Sequence, residues 1–154
     1  MTDEKQKAAQ EKALMYQILQ AQLQELTNQT GALEARMMEL EAAENALKEV
    51  NGTKEGSEML LPLGGGCYGY GTLTNKDRFM VEIGAGLVKE QGLKDAIANI
   101  NGKKNDVENV GKKLKTEIYS IMGSMDKIGL ELQQFQMAAQ EQDKNKDDDS
   151  ITVD

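Results

Sequence analysis

Leucines at Leu19, Leu26, Leu33, Leu40 and Leu47 fall seven residues apart, and this spacing restricts the possible folds more than any other feature of the chain. Taking them as d positions puts Leu23, Thr30, Met37 and Glu44 at a, and the alternating steps of four and three run from about Ala9 to Leu47. The residues between are mostly Ala, Glu, Gln and Lys, which favour helix, and Gly31 is the only Gly before Gly52. A second series has Leu93, Ile100, Val107, Leu114, Ile121, Ile128 and Phe135 at d, all apolar. Its a positions are Ile97, Lys104, Gly111, Ile118, Met125, Leu132 and Ala139. An amphipathic helix on a globular core drifts off a strict seven-residue repeat over such a length, so the spacing points to a coiled coil.

Two heptad segments of matched length, each roughly 60–70 Å long as helix, predict an antiparallel pair within one chain. The alternative is two helices that each dimerise with another chain. For the intrachain pair, a layers meet d layers when Leu47 faces Ile97, Leu26 faces Ile118, Leu19 faces Met125 and Ala9 faces Phe135. A slip of one heptad satisfies the same rule.

The segment between the helices reads as short strands. Leu60-Leu61-Pro62-Leu63 holds the only Pro, Gly64-Gly65-Gly66 is a turn, and Cys67 to Leu73 is β-prone with Gly interleaved. Thr74-Asn75-Lys76-Asp77 is a polar turn, Phe79, Val81 and Ile83 alternate with Met80 and Glu82, and Gly84-Ala85-Gly86 leads to a last short strand at Leu87-Val88. The predicted fold is mainly α: a long antiparallel coiled-coil hairpin with a small β region of two hairpins between its helices. The expected divisions are 1–52 for the first helix, 53–90 for the hairpins, 91–140 for the second helix and 141–154 for a disordered acidic tail containing Asp147-Asp148-Asp149. Asn101-Gly102 is a turn signal inside the second helical pattern, and Gly111, Gly123 and Gly129 follow, so a break or a locally soft helix is expected there. Hairpins this small bury too little to stand alone, and their open edges invite other subunits. Leu61, Leu63, Tyr68, Tyr70, Leu73, Phe79, Val81, Ile83 and Leu87 are the expected assembly residues.

Composition narrows the function. The formal charge is −8, which disfavours nucleic acid and anionic membranes as partners. There is no His and one Cys, so no metal site, cofactor site or catalytic set is expected. The Gly-rich middle lacks the Gly-Lys-Ser/Thr of a phosphate loop, Cys67 has no His to activate it, and a zinc hook needs two Cys at its turn. Helix carboxylates such as Glu44, four residues from Lys48, read as a solvated face with ion pairs. No apolar signal-peptide core occurs near the start and no stretch is long enough to span a bilayer, so a reducing, cytoplasmic location is expected. Apolar residues off the seam gather near the ends of the two segments distant from the hairpins: Leu14, Met15 and Ile18 in the first, Met122, Leu130 and Met137 in the second. Such patches mark interaction sites, and Met suits varied partners; the alternative is scattered surface apolar residues or a contact with a neighbouring chain.

The architecture, together with Leu61-Pro62-Leu63-Gly64, Val81-Glu82-Ile83-Gly84-Ala85-Gly86 and Asp95-Ala96-Ile97, resembles an archaeal-type prefoldin subunit of the alpha type. The likeness covers nearly the whole chain, and two hairpins rather than one favour alpha over beta. Lys89-Glu90-Gln91 stands where the family often has Val-Glu-Lys, and the Gly content of the second helix is unusual. The resemblance implies an ATP-independent chaperone: a hexamer of two alpha and four beta subunits whose hairpins form a double-barrel body. Its coiled-coil tips hold unfolded proteins and deliver them to a group II chaperonin. On that reading Leu14, Met15, Ile18, Leu130, Phe135 and Met137 contact clients. The competing expectation is a structural or adaptor coiled coil that binds one defined folded partner.

Overall fold

The computed structural model describes residues 3–148, with side chains from 4 to 139. Helix α1 spans Asp3–Gly52, strands β1 (Glu58–Gly64), β2 (Cys67–Thr72), β3 (Arg78–Gly84) and β4 (Leu87–Gly92) follow, and helix α2 spans Leu93–Asp148. The order and type of these elements are those the periodicities predict. The chain divides into two compact units: a terminal unit of Met1–Gly31 with Gly111–Asp154, and a hairpin unit of Ala32–Val110.

In the terminal unit the seam is visible as burial. Tyr16, Leu19, Leu23, Leu26 and Thr30 of α1 are half-buried, as are Leu114, Ile118, Met125, Ile128, Leu132, Phe135 and Ala139 of α2, and Ile121 is buried. Ala9, Ala13, Leu132, Phe135 and Ala139 line one small cleft, and Lys12 donates to Glu131 across the pair. Low numbers therefore meet high ones, and the helices run antiparallel here.

The hairpin unit holds most of the core: Leu40, Leu73, Val81, Ala96 and Ile100 are buried. α1 ends at Gly52, where Thr53 donates its N–H to Val50 O at 3.1 Å and its Oγ1 to Glu49 O at 2.8 Å, and Gly56 turns the chain onward with φ +85°. Two ladder-like bonds, Gly56 N to Leu73 O at 2.7 Å and Leu73 N to Ser57 O at 2.9 Å, extend the first hairpin and hold Leu73 inward. β1 pairs with β2 and β3 with β4, each as a separate antiparallel two-stranded sheet. Both hairpins turn through two residues of positive φ, Gly65 (+60°) with Gly66 (+80°) and Ala85 (+48°) with Gly86 (+74°). That geometry matches the twist of the flanking strands. Asn75 Oδ1 accepts from Asp77 N at 2.8 Å and shapes the link between the hairpins.

Three element boundaries differ from the sequence pattern. β4 continues through Gly92, because Lys89, Glu90 and Gln91 pair with Val81, Met80 and Phe79. Their side chains are polar, so hydrophobic alternation gives no sign of the strand. α2 passes through Asn101-Gly102 without a break, since the seam on either side holds the helix against the turn that the dipeptide would favour in isolation. The helix also continues to Asp148, so positions 141–148 of the expected disordered tail are helical in backbone, in a run that contains no Gly or Pro. Residues 149–154 of that tail lie outside the described residues.

Candidate functional site

Two apolar surfaces stand out, one in each unit. In the hairpin unit the alternation of β1 and β2 makes two faces. Leu61 pairs with Gly69 and Met59 with Gly71, while Leu60 pairs with Tyr70 and Pro62 with Tyr68. One face therefore carries leucines over glycines and the other carries both tyrosines. Neither is covered: Tyr70 is 85% and Leu63 71% exposed, and Leu60, Leu61 and Tyr68 are exposed as well. On the second hairpin Met80, Ile83, Leu87 and Val88 are exposed. A two-stranded sheet has two open edges and no second layer, so this area is of the kind other strands cover.

The nine residues expected to assemble fall into two groups. Leu73 and Val81 are buried in this chain's own unit, and Phe79 is half-buried. Phe79 and Val81 face α1 and α2 across a groove of about 480 Å³ lined also by Leu40, Leu47, Val50 and Ile100. Leu61, Leu63, Tyr68, Tyr70, Ile83 and Leu87 remain open. Leu60, Met80 and Val88, outside the nine, are open as well. They sit on the opposite phase of the same alternation, which was the available signal.

In the terminal unit Leu14, Met15, Ile18, Met122, Leu130 and Met137 are exposed, with Leu14 at 60% and Leu130 at 61%. Leu14 lies two residues beyond Lys12 and Leu130 one before Glu131, so the Lys12–Glu131 pair brings them level. Phe135 differs from its companions. It is half-buried against Ala9, Leu132 and Ala139, as its d position requires, and contributes to the seam beneath the patch. Tyr119 adds exposed aromatic surface to this unit, with Lys115 Nζ 6.0 Å from its ring centroid. Its off-seam position was the clue to it.

Charge within the seam is paired. Glu44 is not on a solvated face. Its Oε1 accepts from Lys48 at 2.5 Å and its Oε2 from Lys104 at 3.0 Å. The bond from Lys48, then that from Lys104, holds its carboxyl below the usual range, and the bond to Glu44 raises the Lys104 ammonium. Among the described residues no cluster of three metal-ligating side chains occurs and no helix is long and apolar enough to cross a membrane. Cys67 is a free, exposed thiol beside the first turn.

A two-helix seam joined through two open hairpins, with apolar surface in both units, defines a coiled-coil protein whose strands carry uncovered apolar faces. A family model for prefoldin subunits matches residues 19–138. Prefoldin subunit alpha of Archaeoglobus fulgidus is 30% identical over 134 residues, covering 82% of this chain and 93% of the relative. Prefoldin subunit alpha of Methanothrix thermoacetophila is 27% identical over 106 residues, 69% of each chain. The cryo-EM structure of filamentous PFD from Methanocaldococcus jannaschii shares the fold, with TM-score 0.67 and 20% identity over 79% of this chain and 98% of that one. The chain belongs to the prefoldin family and is of the alpha type. It is thus a chaperone subunit from a family of oligomeric chaperones, not of enzymes.

Proposed function

We propose that this chain is one subunit of an ATP-independent holdase that binds unfolded proteins through the apolar patch of its terminal unit. Leu14, Met15, Ile18, Leu130 and Met137 make the contacts, and Phe135 supports them from the seam. The single observation that carries this reading is the exposure of these off-seam residues on both helices of one pair, with Leu14 and Leu130 level with each other. A helix pair needs no apolar residue there for its own packing, and unfolded segments supply what would cover it. Two flexible Met side chains adapt to varied sequences. Several arms acting together would give avidity from weak individual contacts.

The hairpins join beta-type subunits in a hexamer of two alpha and four beta chains, which works in the cytoplasm and hands its clients to a group II chaperonin. The open faces around Leu63 and Tyr70 support the assembly part of this reading. The test is light scattering as a denatured, unrelated protein is diluted into buffer with the co-expressed complex and no nucleotide. Leu130→Ser with Met137→Ser is expected to raise the complex concentration needed for protection about tenfold, with the elution volume of the complex unchanged. Equal protection by the variant would remove the patch from the mechanism. If the unaltered complex gives no protection, the chain is an adaptor for one folded partner.

A further inference from the structure

The apolar seam alone does not decide how the two helices align, because any slip of seven residues returns apolar a and d residues to their layers. The seam also contains charged residues. Glu44 and Lys104 both occupy a positions, and they meet at 3.0 Å with little side-chain exposure. We infer that the Glu44–Lys104 pair is the register lock of this coiled coil.

The argument is geometric. If α2 slips one heptad in one direction, Glu44 comes opposite Ile97 and Lys104 opposite Met37; in the other, Glu44 meets Gly111 and Lys104 meets Asn51. Each slip breaks the contact between the two charges: Lys104 faces Met37 or Asn51, and Glu44 keeps only Lys48 of its own helix, within a seam that partly excludes water. The second cross-helix pair, Lys12 with Glu131, discriminates in one direction only. The first slip carries Lys12 to Ser124 but gives Glu131 a new cation in Lys5, whereas the second leaves Lys12 at Ala138 and Glu131 at Leu19. The inner pair therefore acts alone against the first slip. The surroundings reinforce its polarity, because Glu41 and Glu108 also favour the charged Lys104 and Lys48 the charged Glu44. Register matters beyond the seam: a slip would shift Leu14 past Leu130 by about 10 Å, close to the level of Met122 in one direction and to that of Met137 in the other, and so change which residues make up the patch of the terminal unit. This consequence rests on the holdase reading; the lock itself does not.

Disulfide trapping in the co-expressed complex, with Cys67→Ser as background, tests the lock without reference to clients. Ala9→Cys with Phe135→Cys reports the observed alignment, since both residues line one cleft. Ala9→Cys with Ile128→Cys reports the first slip. With Glu44 and Lys104 intact, the first pair is expected to form at least about ten times faster than the second. Adding Glu44→Leu and Lys104→Leu is expected to bring the two rates within about threefold, with a melting temperature no lower than that of the background, as for other seam charges replaced by apolar residues. An unchanged ratio in that stable variant would overturn the inference and assign the register to the hairpin connection. The holding assay then separates the two readings: loss of the lock with protection intact would remove only the link to the patch.

Discussion

The hairpin unit and the terminal unit contain the same two helices but satisfy their apolar residues differently. Five of the buried apolar residues, Leu40, Leu73, Val81, Ala96 and Ile100, lie in the hairpin unit, while the terminal unit has only Ile121 among the described residues. A two-helix seam leaves each a and d residue open on one side, so half-burial is the rule where nothing else packs against it. Where strands lean on the helices, the seam closes and a core appears. Yet the same strands leave Leu63 and Tyr70 almost fully in water. The lesson is that apolar exposure has two meanings here. On the reading proposed above, the hairpins expose surface for a fixed partner and the flank of the seam exposes surface for transient ones.

The sharpest way to break this comparison is to charge the hairpin surface. Leu63→Asp with Tyr70→Asp is expected to cost assembly roughly 5 kcal/mol or more, because covering strands would bury unpaired carboxylates. Size-exclusion chromatography with the beta partner should show the complex lost while helical circular dichroism persists. Retention of the complex would mean that these faces stay open after assembly.

A smaller effect separates the two units by stability. Leu40→Ala, at a residue only 3% exposed, is expected to cost about 2–5 kcal/mol, whereas Leu19→Ala in the half-buried seam should cost less. Thermal unfolding of the assembled protein checks the order; equal losses would mean that the strands add nothing to the packing around Leu40.

The smallest effect concerns helix glycines. A Cβ added at Gly102 or Gly123 would meet nothing within 4 Å. Gly102→Ala and Gly123→Ala should each stabilise by up to about 1 kcal/mol through helix propensity alone. A destabilised variant would point to a close contact made at those glycines in the assembled complex.

Much of this architecture is legible in the sequence because a heptad is a global signal, repeated often enough that Glu44, Lys104 and Gly111 do not obscure it. The hairpins are legible through Gly64–Gly66 and Gly84–Gly86, whose turns need positive φ. The end of β4 is not, because Lys89-Glu90-Gln91 has no apolar phase to follow. Alternation divides Leu73 and Val81 from their neighbours by face but does not tell which face the helices cover. Periodicity likewise marks Glu44 and Lys104 as intruders in the seam, yet their mutual contact depends on a register that apolar residues leave open by one heptad. Phe135 was ambiguous for a similar reason: an aromatic residue near an exposed patch is also a good d residue.

The interleaved glycines of β2 carry a consequence for how such chains vary. The space where a Cβ on Gly71 would sit is taken by Leu61, whose Cδ1 is 2.8 Å from it, and Gly69 stands in a similar relation to Leu63 at 3.4 Å. One volume is thus shared by two positions on neighbouring strands. A larger residue at Gly71 is accommodated when the exposed Leu61 side chain turns to another rotamer or is itself smaller, so the two positions are coupled through that one side chain.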